Sequence, residues 1–274
     1  MHSRHPRSAI LAVATTVLLL LTMIVPAGAV TDGELDGDAH PYVGLMVAKD
    51  ADGTPLWRCS GTLLSSRLFL TAGHCTESPA ASAEIWFDAD LTDAAAHNYP
   101  NTGDVSGTTY THPQYDPNAF YLFDLGVVVL DKPIRMNRYG KLPSLDQLDA
   151  LQGRRGQKDK TFTAVGYGLQ AAFPDAASWK DSAQRIRMVA HPELIQINTS
   201  FTGDGSLLLS NNTNTGGTCF GDSGGPNFIG TSNVVGGVTS FGLNGTCGGT
   251  GGVYRVDRGD DLNWLYGTFG SYLP

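Results

Sequence analysis

The sequence predicts an all-β protein, an antiparallel barrel or sandwich, that closes with one helix. Glycine is abundant, at 34 of 274 residues, and charged residues make up only 16% of the chain. Short runs rich in β-branched and aromatic residues alternate with turn residues, which is typical of antiparallel sheets. These runs cover residues 42–48, 67–71, 125–130, 161–165, 234–241 and 252–256.

The predicted helix lies near the end of the chain. Leu262, Leu265, Tyr266 and Phe269 follow one another at helical spacing, after the polar segment 257–261. This spacing places the four side chains on one face, so we expect them to pack against the sheet as core residues.

The first 29 residues are predicted to be a signal peptide. A basic start with Arg4 and Arg7 precedes an apolar stretch over residues 9–25, and Ala27-Gly28-Ala29 fits a signal-peptidase site. An uncleaved membrane anchor is the alternative, because the apolar stretch approaches spanning length. The cleavage site favours secretion, and we expect no membrane association afterwards, since no second segment is long and apolar enough to span a bilayer.

The composition of the remaining 245 residues argues against nucleic acid as a partner. Removing Arg4 and Arg7 changes the net charge from −8 to −10, so the chain lacks the basic patch that nucleic acids require. Two acid-rich stretches, residues 32–38 and 84–93, suggest Ca²⁺ binding, but neither has the spacing of a calcium loop. We interpret them as solvated acidic surface and expect no metal ion.

All four cysteines, Cys59, Cys75, Cys219 and Cys247, follow the predicted signal peptide. Their number is consistent with two disulfides formed in an oxidising compartment. Four cysteines allow three pairings, and their spacing does not choose among them. A metal site is a poorer explanation, because no Cys-x-x-Cys or histidine pair accompanies them.

The strongest functional signal is the segment Gly221-Asp222-Ser223-Gly224-Gly225-Pro226. Its glycines let a substrate approach the backbone closely and let successive N–H groups turn toward one point. Asp222 directly precedes the serine, and a buried carboxylate there requires a partner charge. The segment therefore predicts a nucleophilic serine and a concealed cation.

A histidine base and a buried carboxylate are predicted upstream of this serine. His74 lies in Thr71-Ala72-Gly73-His74-Cys75, after the apolar run 68–70, so a strand would deliver it to a rigid loop. Asp124 opens the apolar run 125–130, where a charge is costly unless the imidazole Nδ1–H binds it. Asp116 and Asp131 compete for this role, but both lie in predicted turns. The other histidines that follow the signal peptide are expected at the surface: His40, His97, His112 and His191.

Together, the segments around His74 and Ser223 resemble the signatures of trypsin-like (chymotrypsin-fold) serine peptidases. The resemblance extends from about Val30 to Phe269, and the two disulfides and compact signal resemble bacterial secreted members more than vertebrate digestive ones. It implies two six-stranded antiparallel β-barrels with a C-terminal helix, joined by the polar stretch 131–156. The N-terminal barrel would cover residues 30–140 and carry His74 and Asp124, and the C-terminal barrel would cover residues 141–274.

The resemblance assigns Ser223 as nucleophile, His74 as general base, Asp124 as the carboxylate that orients it, and the N–H groups of Gly221 and Ser223 as oxyanion hole. The pattern Gly-x-Ser-x-Gly also occurs in α/β-hydrolases, where the histidine follows the serine. No histidine follows His191 here, so the order of the residues excludes that fold.

The resemblance also implies the disulfides Cys59–Cys75 and Cys219–Cys247. Signal cleavage after Ala29 would free Val30, whose ammonium would pair with Asp222 without any further propeptide. The alternative is a disordered acidic N-terminus, with the Asp222 carboxylate satisfied internally.

Carried over from the resemblance, the specificity pocket has its base at Gly217 and Thr218 and its walls at Gly242 and Gly252. The segment Ser240-Phe241-Gly242 would pair with the substrate backbone. No aspartate occupies the base, which argues against Arg or Lys as the residue before the scissile bond, called P1. We expect a large apolar or aromatic P1 residue.

The sequence therefore predicts a secreted, monomeric serine endopeptidase that acts on polypeptides and needs no cofactor. A non-catalytic relative that uses the same fold for binding is the main alternative. An esterase-like enzyme with poor proteolytic activity is a third possibility.

Overall fold

Two antiparallel β-sheets and a C-terminal helix form the part of the chain that the computed structural model describes, residues 30–152, 160–170 and 184–274. The predicted signal peptide, residues 1–29, and the end of the predicted connection, residues 153–156, lie outside these ranges. The strands are β1 (Glu34–Leu35), β2 (Val43–Lys49), β3 (Pro55–Leu63), β4 (Leu68–Thr71), β5 (Ser82–Trp86), β6 (Val105–Thr111), β7 (Gly126–Leu130), β8 (Phe162–Gly166), β9 (Met188–Ala190), β10 (Leu194–Thr199), β11 (Gly203–Asn211), β12 (Pro226–Ile229), β13 (Val235–Gly242) and β14 (Gly249–Arg255).

The first sheet is a closed barrel in the order β2-β3-β4-β7-β6-β5. Closure leaves no free strand edge, and the apolar side chains of these strands fill the interior. Strand β4 pairs antiparallel with β7, with Thr71 opposite Gly126. The end of β4 and the start of β7 therefore lie side by side, which brings the residues flanking them together.

The second sheet has eight strands in the order β1-β9-β8-β12-β13-β14-β11-β10. The prediction of an all-β fold with a C-terminal helix is confirmed, and the second sheet curves into a half-barrel. Strand β1 comes from the N-terminal segment and extends the sheet by pairing with β9. An isolated antiparallel bridge between Thr161 and Glu193 joins the segments that precede β8 and β10, so six of the eight strands form a barrel-like arrangement.

Helices are few in the described residues. They are α1 (Gly73–Thr76), α2 (Gly259–Phe269) and the short 3-10 helices Pro117–Ala119, Gln147–Leu151 and Gly270–Tyr272. In α2, the side chains of Leu262, Leu265 and Phe269 are buried, as the spacing predicted, whereas Tyr266 is 54% exposed. No helix in the described ranges has the length and apolarity that crossing a membrane requires.

Two disulfides and a buried ion pair cross-link the described part of the chain. Disulfides join Cys59 to Cys75 and Cys219 to Cys247, the pairing that the resemblance implied. Asp36 is buried and receives Nε–H of Arg187 at 3.0 Å, which ties the N-terminal segment to residues near β9. A buried ion pair of this kind is destabilising to break, because the remaining charge has no partner.

Candidate active site

His74 lies in the single turn of α1, immediately after β4. The disulfide between Cys59 and Cys75 fixes the next residue to β3. Gly73 packs closely against the start of β7, where a Cβ would lie in tight contact, 3.1 Å from the backbone nitrogen of Leu125. The His74 side chain is 25% exposed, so one face of the imidazole is accessible to a substrate.

The Asp124 carboxylate is fully buried and faces His74. It accepts the backbone N–H of His74 at 2.9 Å, and the imidazole Nδ1 lies 3.0 and 3.1 Å from its two oxygens. The hydroxyl of Ser240 donates to the same carboxylate at 2.5 Å. Because a carboxylate only accepts hydrogen bonds, Nδ1 carries the proton and Nε2 is left as the acceptor.

The Asp124 charge also sets the protonation of His74. Burial alone lowers the pKa of His74, but the charge and hydrogen bond of Asp124, with a smaller contribution from Glu77, outweigh it and raise the pKa above its ordinary value. The carboxylate thus stabilises the protonated form of the imidazole.

Ser223 lies on the loop between Cys219 and β12, directly beside the His74 loop. A Cβ on Gly224 would lie 2.7 Å from the backbone nitrogen of Ala72, so only glycine permits this approach. The backbone N–H of Ser60, in β3, donates to the carbonyl of Ser223 at 2.7 Å. The structure therefore brings the Ser223 loop, the His74 loop and Asp124 together where the two sheets meet.

The hydroxyl of Ser223 makes no hydrogen bond to His74 Nε2 in the described part of the chain. Hydrogen bonds of this type are often long without substrate and shorten when it binds. The backbone N–H groups of Gly221 and Ser223 likewise donate to no acceptor among the described residues. Gly221 adopts φ of +97°, a conformation that favours glycine. Both N–H groups are thus available to a ligand oxygen.

Asp222 is fully buried and satisfied by the backbone. It accepts N–H from Gly168 at 2.8 Å and from Cys219 at 2.9 Å. Burial raises the pKa of Asp222 to about 7, although these two donors and the charge of Arg58 counteract it. No ion pair to Asp222 occurs within the described ranges. Val30 is buried, but its nitrogen still forms the peptide bond with Ala29, so the predicted pair in the cleaved chain stays a prediction.

A pocket of about 330 Å³ opens beside Ser223. None of its lining residues is charged; they are Thr218, Cys219, Phe220, Ser223, Thr239, Ser240, Phe241, Gly242, Asn244, Gly245 and Cys247. Of the predicted pocket residues, Thr218, Ser240, Phe241 and Gly242 line it.

The other two predicted pocket residues, Gly217 and Gly252, do not line this pocket, because neighbouring side chains cover them. A Cβ on Gly252 would lie 2.3 Å from the ring of Phe241, and one on Gly217 would lie 2.2 Å from the side chain of Asn211. The expectation of an open slot walled by bare glycine at 252 is therefore wrong, and an aromatic ring takes that place.

Two further expectations concern residues outside the site. Asp116 and Asp131, the competing acids, are both exposed in loops, which leaves Asp124 as the carboxylate at His74.

His112 is not a surface residue: it is buried, with its ring stacked on Phe123 at 5.2 Å and edge-on to Trp264 at 4.9 Å. Trp264 comes from a distant segment of the chain, so the residues next to His112 in sequence gave no sign of this packing.

Sequence reasoning also missed residues that act on the site. The bond from Ser240 to Asp124 joins positions 116 residues apart. Asn211 donates to the carbonyl of Thr218 at 2.7 Å and accepts the hydroxyl of Thr31 at 2.7 Å, which links the N-terminal segment to the pocket. Ser240 was predicted only as a pocket residue and not as a partner of Asp124, and no local motif would have identified Asn211.

A closed barrel beside a second sheet, with a histidine–carboxylate pair and a serine loop where they meet, defines a protein of the chymotrypsin fold. The sequence matches the Trypsin family over residues 36–258, so the chain belongs to that family. It is similar in fold to the solved structure of HL collagenase, with a TM-score of 0.65 and 20% identity over 88% of this chain and 98% of that one.

Curated relatives come from insects and bacteria. Chymotrypsin of Phaedon cochleariae is 30% identical, over 82% of this chain and 76% of its own. Phenoloxidase-activating factor 3 of Holotrichia diomphalia is 24% identical, over 85% and 70%. Trypsin of Saccharopolyspora erythraea is 26% identical, over 78% and 87%. This mixture supports a trypsin-like serine protease but not the narrower expectation of a bacterial type.

Proposed function

We propose that this protein is a secreted serine endopeptidase that uses His74, Asp124 and Ser223. The observation that carries the proposal is the contact of His74 Nδ1 with the buried Asp124 carboxylate, beside the Ser223 loop. This arrangement leaves Nε2 free to accept a proton on the side open to solvent.

In the proposed reaction, His74 Nε2 accepts the hydroxyl proton of Ser223 while Oγ attacks the scissile carbonyl. The N–H groups of Gly221 and Ser223 bind the oxyanion that forms. The imidazolium then gives the proton to the leaving amine, and the C–N bond breaks to leave an acyl-enzyme. Water, activated in turn by His74, hydrolyses the ester and restores Ser223. Asp124 holds one tautomer and stabilises the imidazolium throughout.

The pocket supports a large apolar P1 residue. Its lining residues include no carboxylate that would bind Arg or Lys. A cavity of about 150 Å³ binds benzene, so about 330 Å³ is sufficient for an aromatic side chain. The Phe241 ring supplies apolar surface where the predicted bare glycine wall would have supplied none.

The activation proposal is that signal cleavage after Ala29 frees Val30 to pair with Asp222. The position of the N-terminal segment supports it: Thr31 bridges Gly217, and Val30 is buried near β9. We also propose the domain boundaries 30–140 and 141–274 and a monomer acting on polypeptides in the extracellular space.

The test is labelling of the purified chain that begins at Val30 with a fluorophosphonate probe, which reacts only with an activated serine. We expect labelling of the native chain and none of Ser223→Ala, because the probe needs both the nucleophile and the oxyanion hole. Ser144→Ala removes an exposed serine of the second half and should be labelled like the native chain.

Other outcomes would point to the alternatives. Labelling that persists in Ser223→Ala would mean that another residue reacts. A folded chain without labelling would support the non-catalytic binding protein, and rapid ester turnover with negligible peptide turnover would support the esterase.

A further inference from the structure

Arg58 lies against the backbone of the proposed oxyanion hole. It belongs to β3 and directly precedes Cys59. A Cβ on Gly221 would lie 3.1 Å from its Nε and 3.2 Å from its Nη2, so the guanidinium is packed on Gly221. The side chain is only partly buried and keeps access to the cleft.

This guanidinium has no hydrogen bond or ion pair to any residue in the described part of the chain. By contrast, Arg187 pairs with Asp36 at 3.0 Å, and Arg255 pairs with Asp257 at 2.9 Å. The charge of Arg58 acts on the buried Asp222, but the hydrogen bonds of that carboxylate come from backbone N–H groups. Among the described residues, the planar guanidinium fork is therefore uncommitted, and such a fork can bind a carboxylate in two-point fashion.

The position of Arg58 relative to the pocket decides which part of a substrate it would meet. The pocket lies on the β13 side of Ser223, among residues that include Phe241 and Cys219. Arg58 lies on the other side, on β3, whose Ser60 N–H binds the Ser223 carbonyl. If the substrate backbone pairs with Ser240-Phe241-Gly242 of β13, as the resemblance implies, the acyl part lies on the β13 side of Ser223. The leaving group would then lie on the side of β3 and the disulfide Cys59–Cys75.

We propose that Arg58 binds a carboxylate in the leaving-group part of the substrate. This carboxylate is either an Asp or Glu side chain at the first or second residue after the scissile bond, P1′ or P2′, or the terminal carboxylate of a short leaving peptide. The proposal rests on the proposed function and assigns it a substrate preference on the side opposite the pocket.

The test is a set of peptides with one acyl sequence and varied leaving groups. They carry Ala, Asp or Lys at P1′ or P2′, with an amidated or a free C-terminus, and kcat/KM is measured for each. One charge-assisted hydrogen bond corresponds to a preference of about tenfold for the carboxylate over the neutral peptide. High salt should weaken this preference, because the site is open to solvent. The amidated Asp peptides and the free-acid Ala peptides separate the two sources of carboxylate.

The variants are compared by the ratio of acidic to neutral kcat/KM within each protein, so that a general loss of activity cancels. Arg58→Gln should bring the ratio close to one, Arg58→Glu should favour Lys, and Arg58→Lys should keep part of the preference. Arg67→Gln is the matched control, because it removes an equal charge at the far end of β4 and should keep the native ratio.

A native ratio near one, or a ratio that Arg58→Gln leaves unchanged, would overturn the inference. If the neutral peptides are cleaved in that case, the proposed function still stands. If the native protein neither cleaves any peptide nor reacts with the fluorophosphonate, the proposed function fails and this inference fails with it.

Discussion

At the scale of single residues, the site depends on how Asp124 is surrounded. A carboxylate with no exposed surface is costly unless donors compensate its charge. Three donors do so here: the backbone N–H of His74, its Nδ1–H and the Ser240 hydroxyl. They fix the carboxylate from two sides, so that the imidazole is held in one orientation.

Asp124→Asn should lower kcat by about ten thousand fold, because an amide in this place favours the wrong imidazole tautomer. The pH profile should change as well. A general base must be neutral, so activity rises as pH passes upward through the pKa of His74. The Asp124 charge raises that pKa, and its removal should move the acidic limb to lower pH. Steady-state kinetics between pH 5 and 9 measures both effects.

Asp116→Asn is the control for this prediction. Asp116 is exposed, and its carboxylate accepts the backbone N–H of Asn118 rather than contacting a histidine. Activity should stay near the native level. A large loss in this variant, with little loss in Asp124→Asn, would show that the wrong acid has been assigned.

At the scale of secondary-structure elements, the pairing of β13 with β14 shapes the pocket. The register shifts between Thr239 and Phe241, which places Phe241 opposite Gly252. Because successive side chains of a strand point to opposite faces, a shift of one residue changes which side chain faces the pocket. The ring of Phe241 thus lies over Gly252, and its outer edge contacts Phe120 with centroids 6.0 Å apart.

Phe241→Ala should lower kcat/KM for a Phe P1 residue by about tenfold, because a P1 aromatic loses apolar contact with the ring. N-acetyl amino-acid esters of Phe, Leu and Arg report on this pocket alone. Phe120→Ala, which changes a ring outside the pocket, should affect these esters much less. Faster turnover of the Arg ester than of the Phe ester by the native protein would contradict the apolar P1 preference.

At the scale of the whole molecule, the N-terminal segment connects the signal-cleavage site to the pocket. Val30 packs with Met188 and Ala190 of the second sheet. Thr31 bridges Gly217 and bonds to Asn211, which in turn bonds to Thr218 at the pocket. The N-terminus is therefore linked to the proposed substrate site by a continuous series of contacts.

A chain that begins at Val30 should be active, and one that keeps two extra alanines before Val30 should be nearly inactive. The free ammonium would form an ion pair with buried Asp222, which has no ion pair among the described residues, and the Asp222 pKa of about 7 should then fall. Fluorophosphonate labelling rates of the two chains measure the difference. Asp222→Asn, in the chain that begins at Val30, should resemble the extended chain. Equal labelling of the native and extended chains would show that the backbone donors of Asp222 are sufficient.

The sequence by itself determined the fold class and predicted the central residues of the proposed site. The strands near residues 68–71 and 126–130 could be predicted because apolar β-branched and aromatic residues follow each other there between turn residues. His74, Asp124 and Ser223 could be predicted because each lies in a short sequence motif whose neighbouring residues indicate its chemical role. The pairing of the cysteines followed only from the family resemblance, since spacing allows three choices.

Only the tertiary structure decided how the second sheet is completed and what the pocket contains. Strand β1 joins β9 across about 150 residues of chain, the ring of Phe241 covers Gly252, and Arg58 lies against Gly221. The first and third of these contacts join segments more than 150 residues apart, and the second depends on the register of neighbouring strands. A local pattern specifies which face of a strand is apolar, but not which distant residue meets it, because that is set by the packing of the whole molecule.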